Sequence, residues 1–553
     1  MERLKMEQLE CCDLFSEIEP LTMTIDEAAA RLKVSTATIR NWIKTNYLKP
    51  AGNGKITLGS LENFEKAIAG QEKLNQRANK SLKDSHDHNK TTANLIDKLA
   101  SSGEELERIG DEYEASLSES YRNKEGIYYT PAAVVCDLFA QPADDIEHAT
   151  FCDPCCGTGN FIVRAIALGF KPENIAGYDV DPIAVEITRS RIFKLTGCKT
   201  AHIKVADFLN ITVNNSAPQF DYIYTNPPWG KKIDKSIRDA IGLRLGAGSS
   251  IDTCALFFFM CLQCLKENGR LGLLLPDAFF NIAAFENARN NALHWSIERL
   301  IDYGKVFKGL VTNAQAIVLK KQASAPVATI VCETRRSSYE RVKSSFSCNP
   351  KSILNLYCDD RDALTLQYLM SIPHITLKNH AAWGLGIVTG NNKKFIQSSP
   401  QDGYIAVYKG ADILDGKLKP ATSFIPADMS FYQQVAPRHI YDANEKLVYK
   451  FISSRLRFFY DDRQRYFLNS ANMLIPDIDF PIPPQVLGAL LSSDLMNWMF
   501  SKVFNTHKIL RGDLELLPIY SQFLYGATRF DEETYLDHLQ IKRDDTGTYR
   551  IER

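Results

Sequence analysis

The sequence has no long apolar run, no secretory signal pattern and no excess of charge of one sign. Its longest apolar stretch, around residues 255–265, is interrupted by Gln263 and is too short to cross a bilayer, so we expect no membrane segment. Residues 1–15 are charged and lack the apolar core of a secretory signal. The 65 Lys and Arg residues against 66 Asp and Glu give a net charge of −1, which neither indicates nor excludes a nucleic-acid partner.

The sequence also has no repeated cysteine pair at the spacing of zinc ligands, although it contains 13 cysteines. Cys261 and Cys264 have C-x-x-C spacing, but they lie in the apolar segment ALFFFMCLQCL, which predicts a buried helix. We therefore interpret the cysteines as reduced thiols of the core, typical of an intracellular protein, and expect no metal site.

Residues 1–70 contain two predicted helices followed by a β wing. Thr24 is suited to cap a helix over residues 25–32, and a second helix is predicted over residues 36–44. The glycine turn at residues 52–54, flanked by strand candidates at Tyr47–Leu48 and at residues 55–58, predicts a hairpin. The segment resembles the winged helix-turn-helix of excisionase-like and MerR-like DNA binders, a pattern that trihelical folds without DNA contact share.

Residues 71–120 are polar and charge-rich, which predicts a linker that becomes a helical arm. His86 and His88 lie in this segment, where a solvated polar run accounts for them better than a metal pair. We therefore expect this segment to connect two folded parts of the chain.

Residues 121–325 alternate short apolar runs with helical patterns. The strand candidates are residues 149–152, 175–179, 202–205, 222–225 and 270–275. Such alternation predicts an α/β domain with a parallel sheet and helices on both faces, similar to a Rossmann fold. Beyond residue 330 the alternation stops, and short strand candidates in irregular segments predict a mixed α+β domain, which we place at residues 326–553.

The segment DPCCGTGNF, residues 153–161, comes directly after the first strand candidate. Gly157 and Gly159 allow the backbone to approach a ligand closely and to turn sharply into a helix. A G-x-G pattern alone is common in ordinary tight turns, so its meaning depends on the next strand. About twenty residues later, as such folds require, Asp179 ends the second strand candidate, where an acid accepts hydrogen bonds from ribose hydroxyls.

Two further polar segments lie after strand candidates. Asp207 and Phe208 come after the third one, where a carboxylate and an aromatic ring are suited to bracket an adenine. The segment TNPPWG, residues 225–230, comes after the fourth. Its two prolines stiffen a turn, but stiffness does not explain why Asn226 and Trp229 flank them at the carboxyl edge, where ligands sit in open α/β sheets.

The segments DPCCGTGNF, GYDVDP, ADFLN and TNPPWG resemble, in order and spacing, the motifs of amino-group DNA methyltransferases. GIYYTP, residues 126–131, resembles the cofactor-contacting segment that precedes the sheet in the gamma class, where a target-recognition domain comes after the catalytic domain. Residues 384–393 are similar to recognition domains of restriction–modification methyltransferases. The resemblance covers roughly residues 120–530 and implies a type II, adenine-N6-specific enzyme.

The resemblance implies S-adenosyl-L-methionine as the cofactor. The implied cofactor residues are Tyr129, Thr130, Asp153, Gly157, Gly159, Asp179, Asp207 and Phe208. The first five would surround the methionine part, Asp179 would hold the ribose, and the last two would bind the adenine ring.

The resemblance also implies the residues that hold the target base. The Asn226 amide oxygen and the Pro227 carbonyl would accept hydrogen bonds from the target amine, which localises its lone pair toward the methyl group. Trp229 would stack on a base extruded from the duplex, in place of the Tyr or Phe that is usual in the family. Phe307 matches a second stacking aromatic, although an ordinary core phenylalanine fits the same pattern.

Double-stranded DNA is the implied partner, with a cognate restriction endonuclease as a functional partner that need not bind physically. A homodimer stays open, and the expected location is the prokaryotic cytoplasm, at the nucleoid. The nearest alternative is cytosine-N4 methylation, whose enzymes more often have Ser or Asp where this chain has Asn226. RNA or protein amino-group methylation and a non-catalytic DNA-binding regulator are further alternatives. Residues 1–120 lack an endonuclease carboxylate set, so we expect no DNA cleavage.

The C-terminal region contains cations interleaved with aromatics at residues 446–450, 455–460 and 463–466. Amphipathic strands give the same pattern, but after a catalytic domain of this type we predict phosphate contacts for at least some of these cations. The exposed-looking run Asn391–Lys394 supplies candidate groups that face bases or backbone.

Overall fold

A computed structural model describes residues 22–44, 47–52, 54–68, 112–113, 115, 117, 128–140, 146–199, 202–211, 218–307, 310, 312–414 and 416–552. The chain forms two compact units, residues 1–127 with 181–197, and residues 128–180 with 198–553. Most of the predicted linker and helical arm, including His86 and His88, lies outside the described residues, as do Gly126 and Ile127.

The described helices are short, and most have polar residues at their caps. They are α1 Ile25–Arg31, α2 Thr36–Lys44, α3 Leu58–Ala67, α4 Ala132–Leu138, α5 Asn160–Ala167, α6 Pro182–Thr196, α7 Lys235–Leu245, α8 Thr253–Cys264, α9 Ala278–Asn281, α10 Glu286–His294, α11 Ser344–Ser347, α12 Asp360–Ser371, α13 Asn392–Phe395, α14 Arg438–Tyr441, α15 Pro484–Ser492, α16 Asp494–Val503, α17 Arg511–Leu514 and α18 Glu532–His538. No helix in the described part of the chain is long and apolar enough to cross a lipid bilayer.

The described strands fall into a small N-terminal sheet, a large central sheet and several C-terminal sheets. They are β1 Thr22–Thr24, β2 Pro50–Gly52, β3 Lys55–Thr57, β4 Phe151–Asp153, β5 Ile175–Asp179, β6 Ile203–Val205, β7 Phe220–Thr225, β8 Leu265–Pro276, β9 Trp295–Gly304, β10 Ala314–Ala323, β11 Thr329–Glu333, β12 Ser338–Val342, β13 Ala381–Leu385, β14 Tyr404–Tyr408, β15 Ile413–Leu414, β16 Lys417–Leu418, β17 Ser423–Pro426, β18 Lys446–Lys450, β19 Phe458–Asp461, β20 Tyr466–Phe467, β21 Ala471–Pro476, β22 Ile541–Arg543 and β23 Tyr549–Ile551.

The N-terminal unit contains the predicted helix-turn-helix and wing. The predicted cap is confirmed: the Thr24 hydroxyl accepts the Glu27 N–H, and the Glu27 carboxylate accepts the Thr24 N–H at 2.8 Å, a capping box. Trp42 packs against Phe64 in a small core, with ring centroids 4.7 Å apart. The wing differs in one strand, because β2 begins at Pro50 and the Tyr47–Leu48 segment is not a strand.

The central sheet has nine strands in the order β12-β11-β9-β10-β8-β7-β4-β5-β6. The five strands β6, β5, β4, β7 and β8 are parallel, as predicted. The predicted α/β fold with a parallel sheet is confirmed for these strands, and the sheet becomes mixed beyond them, because β10 runs antiparallel to both β8 and β9. Only residues 305–313 join β9 to β10, and a parallel crossover needs a dozen or more residues.

The central sheet continues past residue 325, the predicted end of the catalytic domain. Strand β11 pairs in parallel with β9, and β12 pairs antiparallel with β11, so the sheet ends at Val342. Strand β12 belongs to the sheet because its partner β11 lies beside β9, a contact that the local sequence pattern does not reveal.

Helix α8 lies within the core, as its continuous apolar sequence predicts. Cys261 and Cys264 on this helix are fully buried and are free thiols. Burial raises the pKa of the Cys261 thiol well above its usual range, so the thiol stays protonated. The interpretation of this C-x-x-C pair as core thiols is confirmed.

The C-terminal part contains the antiparallel sheet β13-β21-β18-β19 and the three-stranded sheet β17-β14-β20. Leu447 and Leu474 of the larger sheet pack with apolar side chains of α12, α15 and α16. A phosphate contact by Lys446 is excluded, because its ammonium group is fully buried and lies 2.9 Å from the Asp461 carboxylate. Sequence alternation could not distinguish this buried ion pair from a row of exposed cations.

Candidate active site

The carboxyl edge of the parallel strands gathers most of the predicted site residues. Asp153 ends β4, Asp179 ends β5, and Asn226 comes directly after β7. These three strands run side by side in the order β7-β4-β5, so their carboxyl ends meet at one edge. Phe307 comes after β9, whose last residue Gly304 faces the start of β10 at the same edge.

The glycine loop has the backbone geometry that its sequence predicts. Gly157 has a φ of +49° and Gly159 a φ of +90°, and Gly159 is the N-cap residue that precedes α5. The Gly157 N–H donates to the Asp179 carboxylate at 2.9 Å, which joins the loop to the end of β5. A Cβ atom at Gly157 would lie 2.7 Å from the Tyr129 ring, so only glycine permits this ring to cover the loop.

The segment Tyr128–Pro131 is held against the start of α5. The Asn160 side chain donates to the Thr130 carbonyl at 2.9 Å, and Thr130 itself is buried. A cleft opens between this segment and the glycine loop. It is lined by Tyr128, Tyr129, Thr130, Asp153, Cys155, Cys156, Gly157, Thr158, Asn160, Phe161 and Asn226. Five residues that the sequence assigns to the cofactor or the target amine therefore share one cleft.

Asp153 is a buried carboxyl group at the base of this cleft. Its Oδ1 accepts the Cys155 N–H at 3.2 Å, which fixes the first turn of the loop. Burial, together with a smaller contribution from the neighbouring Asp179 carboxylate, raises the pKa of Asp153 to about 7, although the hydrogen bond from the Cys155 N–H lowers it. Near neutral pH this carboxyl group is therefore divided between its neutral and charged forms.

Asn226 is oriented by the backbone of Tyr128. Its Nδ2 donates to the Tyr128 carbonyl at 2.7 Å. Because a carbonyl only accepts hydrogen bonds, the amide nitrogen must face it, and Oδ1 faces the other way. This Oδ1 is buried and has no hydrogen-bond partner among the described residues. Buried acceptors in proteins are nearly always satisfied, so an unsatisfied one beside a cleft indicates a group meant for a ligand.

Three aromatic rings meet beside Asn226. The Trp229 and Phe307 centroids are 5.3 Å apart with an interplanar angle of 82°, and the Tyr128 ring lies 5.3 Å from Phe307 and 6.2 Å from Trp229. The Trp229 indole N–H donates to the Leu274 carbonyl at 3.3 Å, which fixes its plane. The structure thus brings together both predicted stacking aromatics.

Tyr128 is a site residue that the sequence reasoning missed. Its carbonyl accepts the hydrogen bond that orients Asn226, and its ring contacts the rings of Trp229 and Phe307. Tyr128 therefore contacts three of the residues that the sequence assigns to the target base. The signal was its position inside the segment GIYYTP, where only the next two residues were assigned a role.

Asp207 and Phe208 lie at the end of β6 but differ in accessibility. The Asp207 carboxylate accepts the Leu209 N–H and the Asn210 side-chain N–H, both at 3.0 Å. The Phe208 ring is 1% exposed and packs against Tyr178 and Phe257, so it does not face the edge. Its contact with the adenine ring therefore stays a prediction.

Two valines that the sequence reasoning missed supply exposed apolar surface at the ends of β5 and β6. Val180 comes directly after Asp179 and is 53% exposed, and Val205 faces Asp179 across the strands and is 50% exposed.

Among the described residues, no group of three His, Cys, Asp or Glu side chains is arranged to hold a metal ion.

Comparison with known proteins gives three family matches along the chain. A helix-turn-helix domain matches residues 22–62, the N-6 DNA methylase family matches residues 104–376, and a TaqI-like C-terminal specificity domain matches residues 405–519. The type II methyltransferase M.VspI of Vibrio sp. (strain 343) is 47% identical over 400 residues, which cover 72% of this chain and 98% of that protein. The chain belongs to the type II DNA methyltransferases. Its matched catalytic family is that of the adenine-N6 enzymes, so the prediction of an adenine-N6 DNA methyltransferase is confirmed and cytosine-N4 is not favoured.

This methyltransferase has more distant relatives as well. The type II methyltransferase M.CvrRI of Paramecium bursaria Chlorella virus XZ-6E is 29% identical over 176 residues, which cover 31% of this chain and 41% of that protein. A solved structure of the type IIL restriction-modification enzyme MmeI in complex with DNA has 14% identity and a TM-score of 0.49, covering 77% of this chain and 72% of that one.

Proposed function

We propose that this methyltransferase moves a methyl group from S-adenosyl-L-methionine to N6 of an adenine turned out of double-stranded DNA, and so protects the DNA from a cognate restriction endonuclease. The observation that carries the proposal is the buried, unpartnered Oδ1 of Asn226, held in place by the Tyr128 carbonyl. An exocyclic amine carries two N–H donors, and a pair of acceptors is what it requires.

The cleft fits the proposed cofactor in three respects. The absence of a side chain at Gly157 allows the Tyr129 ring to cover the loop, and the Asp179 carboxylate stands at the end of β5 where ribose hydroxyls are held. Val180 and Val205 offer apolar surface next to Asp179. We assign the methionine part to Tyr129, Thr130, Asp153, Gly157 and Gly159. When bound, S-adenosyl-L-methionine supplies an electrophilic methyl group on a sulfonium.

The protein's part in the reaction is to position and polarise the target amine. Asn226 Oδ1 and the Pro227 carbonyl accept its two hydrogens, so the nitrogen lone pair turns away from the ring and toward the methyl group. Orientation of this kind supplies much of the rate, because the reacting atoms are held close and aligned. No strong base is required, since the proton leaves the amine after transfer, toward solvent.

An adenine inside a duplex cannot reach this cleft and must be extruded. We assign Trp229 and Phe307 to the two contacts with the extruded base, with about 1–3 kcal/mol for each base stacked on an aromatic ring. Their edge-to-face arrangement, with the Tyr128 ring beside both, leaves no parallel gap for a base. The rings of Tyr128 and Phe307 therefore move when a base enters, while the bonded Trp229 indole stays as the fixed face.

The proposed organisation has a winged helix-turn-helix over residues 1–70, a linker and arm over residues 71–120, a catalytic domain over residues 121–325 and a target-recognition domain over residues 326–553. Strands β11 and β12 of the last region complete the catalytic sheet.

We assign the N-terminal module to extra DNA contact or autoregulation in the cytoplasm. Deletion of residues 1–70 should weaken binding to methylation-site or promoter DNA, and unchanged affinity for both would remove this role. Physical contact with the endonuclease is not required, and a homodimer is an outcome for sedimentation to decide.

The experiment that tests the reaction is transfer of tritium from labelled S-adenosyl-L-methionine to mixed genomic DNA, with nucleoside analysis of the product. Label in N6-methyladenine, lost in Asn226→Ala, is expected. A Gln485→Ala variant is the matched control, because Gln485 is an exposed amide elsewhere in the chain. Label in N4-methylcytosine would overturn the target base, and cofactor binding without label in DNA would overturn the substrate class.

A further inference from the structure

Two adjacent loops of the C-terminal part expose a group of amide side chains and one aromatic ring. We define the amide patch as Asn392, Phe431, Gln433 and Gln434, all of which are exposed. Val388 and Gln434 form an isolated antiparallel bridge, with N–H to carbonyl distances of 2.9 and 3.2 Å, which joins the two loops. Gly390 lies against Gln433, since a Cβ atom built on it would be 3.3 Å from the Gln433 Cβ.

The backbone that presents the patch is fixed. The Asn391 side chain caps the four-residue helix α13 by accepting the Lys394 N–H at 3.1 Å. The Thr389 hydroxyl, which is buried, donates to Asn392 Oδ1 at 2.5 Å. Asn392 is thereby oriented, with its Nδ2 donor and the second lone pair of Oδ1 left for an outside partner.

The patch presents polar side chains and one ring that are accessible to an outside partner. The side chains of Gln433 and Gln434 make no hydrogen bond with any described residue. Phe431 is 54% exposed and stacks on Phe395 at an interplanar angle of 13°, with centroids 6.5 Å apart. The nearest acid in sequence, Asp428, is engaged in capping, because its carboxylate accepts the Ser430 N–H and hydroxyl.

These groups complement the hydrogen-bond donors, acceptors and methyl group that A·T base pairs present in the major groove. A carboxamide donates to N7 and accepts from N6 of adenine in the major groove, and an apolar side chain such as Phe contacts the methyl group of thymine. Guanine is read mainly by Arg or Lys, and cytosine by Asp or Glu. The patch has three carboxamides and one aromatic ring, and its neighbours Lys393 and Lys394 are suited to phosphates.

We propose that the amide patch reads A·T base pairs flanking the target adenine, so that the recognition sequence of this enzyme contains at least two A·T pairs besides the target. Asn392, Gln433 and Gln434 contact adenine edges, and Phe431 contacts a thymine methyl group. The inference rests on the proposed action on duplex DNA. It deepens that proposal by naming the residues that choose the sequence and the bases they choose.

The test is selection of binding sites from a randomised duplex library with the full chain, at one fixed salt concentration, because phosphate contacts vary with salt. We expect enriched sites with A·T pairs at the specified positions. In Gln433→Ala and Asn392→Ala, discrimination at one position should fall about 5- to 150-fold, while the other positions keep theirs. Gln485→Ala, with an exposed amide outside the patch, should select the same sites as the parent.

Modified bases locate each contact. Replacing an adenine by 7-deazaadenine removes the N7 acceptor, and replacing a thymine by uracil removes the methyl group. Each replacement should weaken binding by the parent enzyme at one position, and Gln433→Ala or Phe431→Ala, respectively, should be insensitive to it. Specified positions that are G·C pairs apart from the target, or alanine variants that weaken all sequences equally, would overturn the inference.

Site selection needs no methyl transfer, so the two proposals fail separately. Label transfer to N6-methyladenine within G·C-rich sites would sink the A·T inference and leave the reaction standing. Selection of A·T sites without any label in DNA would do the reverse. A motif read by the N-terminal unit alone would be unchanged in Gln433→Ala, which also counts against the patch.

Discussion

The side-chain nitrogen of Asn226 donates a hydrogen bond to the backbone carbonyl of Tyr128 at 2.7 Å. The two residues lie 98 positions apart in the chain, one before the sheet and one directly after β7. Their bond determines which end of the amide faces the cleft, because the carbonyl accepts only from nitrogen. The backbone carbonyl of Tyr128 therefore orients the acceptor that we propose for the target amine.

Replacing Asn226 tests that acceptor. Asn226→Ala should lower kcat about 100- to 1,000-fold, the usual effect of removing one preorganised polar group from a reacting centre. Asn226→Asp should also be slow, since one carboxylate oxygen would face the Tyr128 carbonyl and be repelled by it. Cofactor affinity, measured by equilibrium dialysis, should change little in either variant. Loss of cofactor binding together with activity would instead indicate a structural role for Asn226.

Trp229 should act as the fixed face for the extruded base. With 2-aminopurine at the target position, Trp229→Ala should weaken binding of the extruded base by about 1–3 kcal/mol, while Trp229→Phe should keep most of it because a ring face remains. Fluorescence of 2-aminopurine reports the extruded fraction, and Phe307→Ala made in parallel reports the second ring. Equal fluorescence in Trp229→Ala and the parent enzyme would contradict this role.

Gly157→Ala should impair the cofactor cleft. The added methyl group would lie 2.7 Å from the Tyr129 ring at a φ of +49°, so the ring must shift and the loop is strained. We expect weaker S-adenosyl-L-methionine binding and a higher KM for it. Gly246→Ala is the matched control, because Gly246 also has a positive φ, +66°, but nothing within 4 Å of its added methyl. Similar cofactor affinity in both variants would argue against a specific effect at Gly157.

Asp153 should make stability depend on pH. Burial raises its pKa to about 7, so between about pH 4 and pH 7 the folded protein holds a proton that the unfolded chain has released. Stability from this group is therefore present below pH 4 and is lost as pH rises to 7. The melting temperature of Asp153→Asn minus that of the parent should become more positive from pH 5 to pH 7, because the parent loses stability over this range. Above pH 7 this difference should stay constant. A constant difference across this range would show that the carboxyl group is not perturbed.

Lys446 should behave as a core residue and not as a DNA contact. Lys446→Met leaves the buried Asp461 carboxylate with Arg465 as its remaining ion-pair partner, so it should lower the free energy of unfolding by less than the about 3–5 kcal/mol of a fully uncompensated buried charge. The salt dependence of DNA affinity should be unchanged, since no phosphate contact is lost. Chemical denaturation and binding titrations measure the two effects. A reduced salt slope with unchanged stability would restore the phosphate contact that the sequence pattern suggested.

The strands and turns that carry the site can be predicted from the sequence alone. The five parallel strands, the positive-φ glycines and the capped helix α1 obey local rules, because glycine, proline and capping residues constrain the backbone within a few residues. The chemistry can be predicted as well, since Asn226, Asp179 and Gly157 occur at fixed distances from strand ends, and strand ends share an edge.

Which groups meet across the chain depends on tertiary packing. Tyr128 against Asn226, β10 beside β8, the burial of Lys446 with Asp461 and of Phe208 under Tyr178 all require partners on other elements of the fold. A residue's own neighbours along the chain carry no signal for such contacts. Burial and pairing arise from the packing of whole elements, and that packing turns a pattern of residue types into an oriented site.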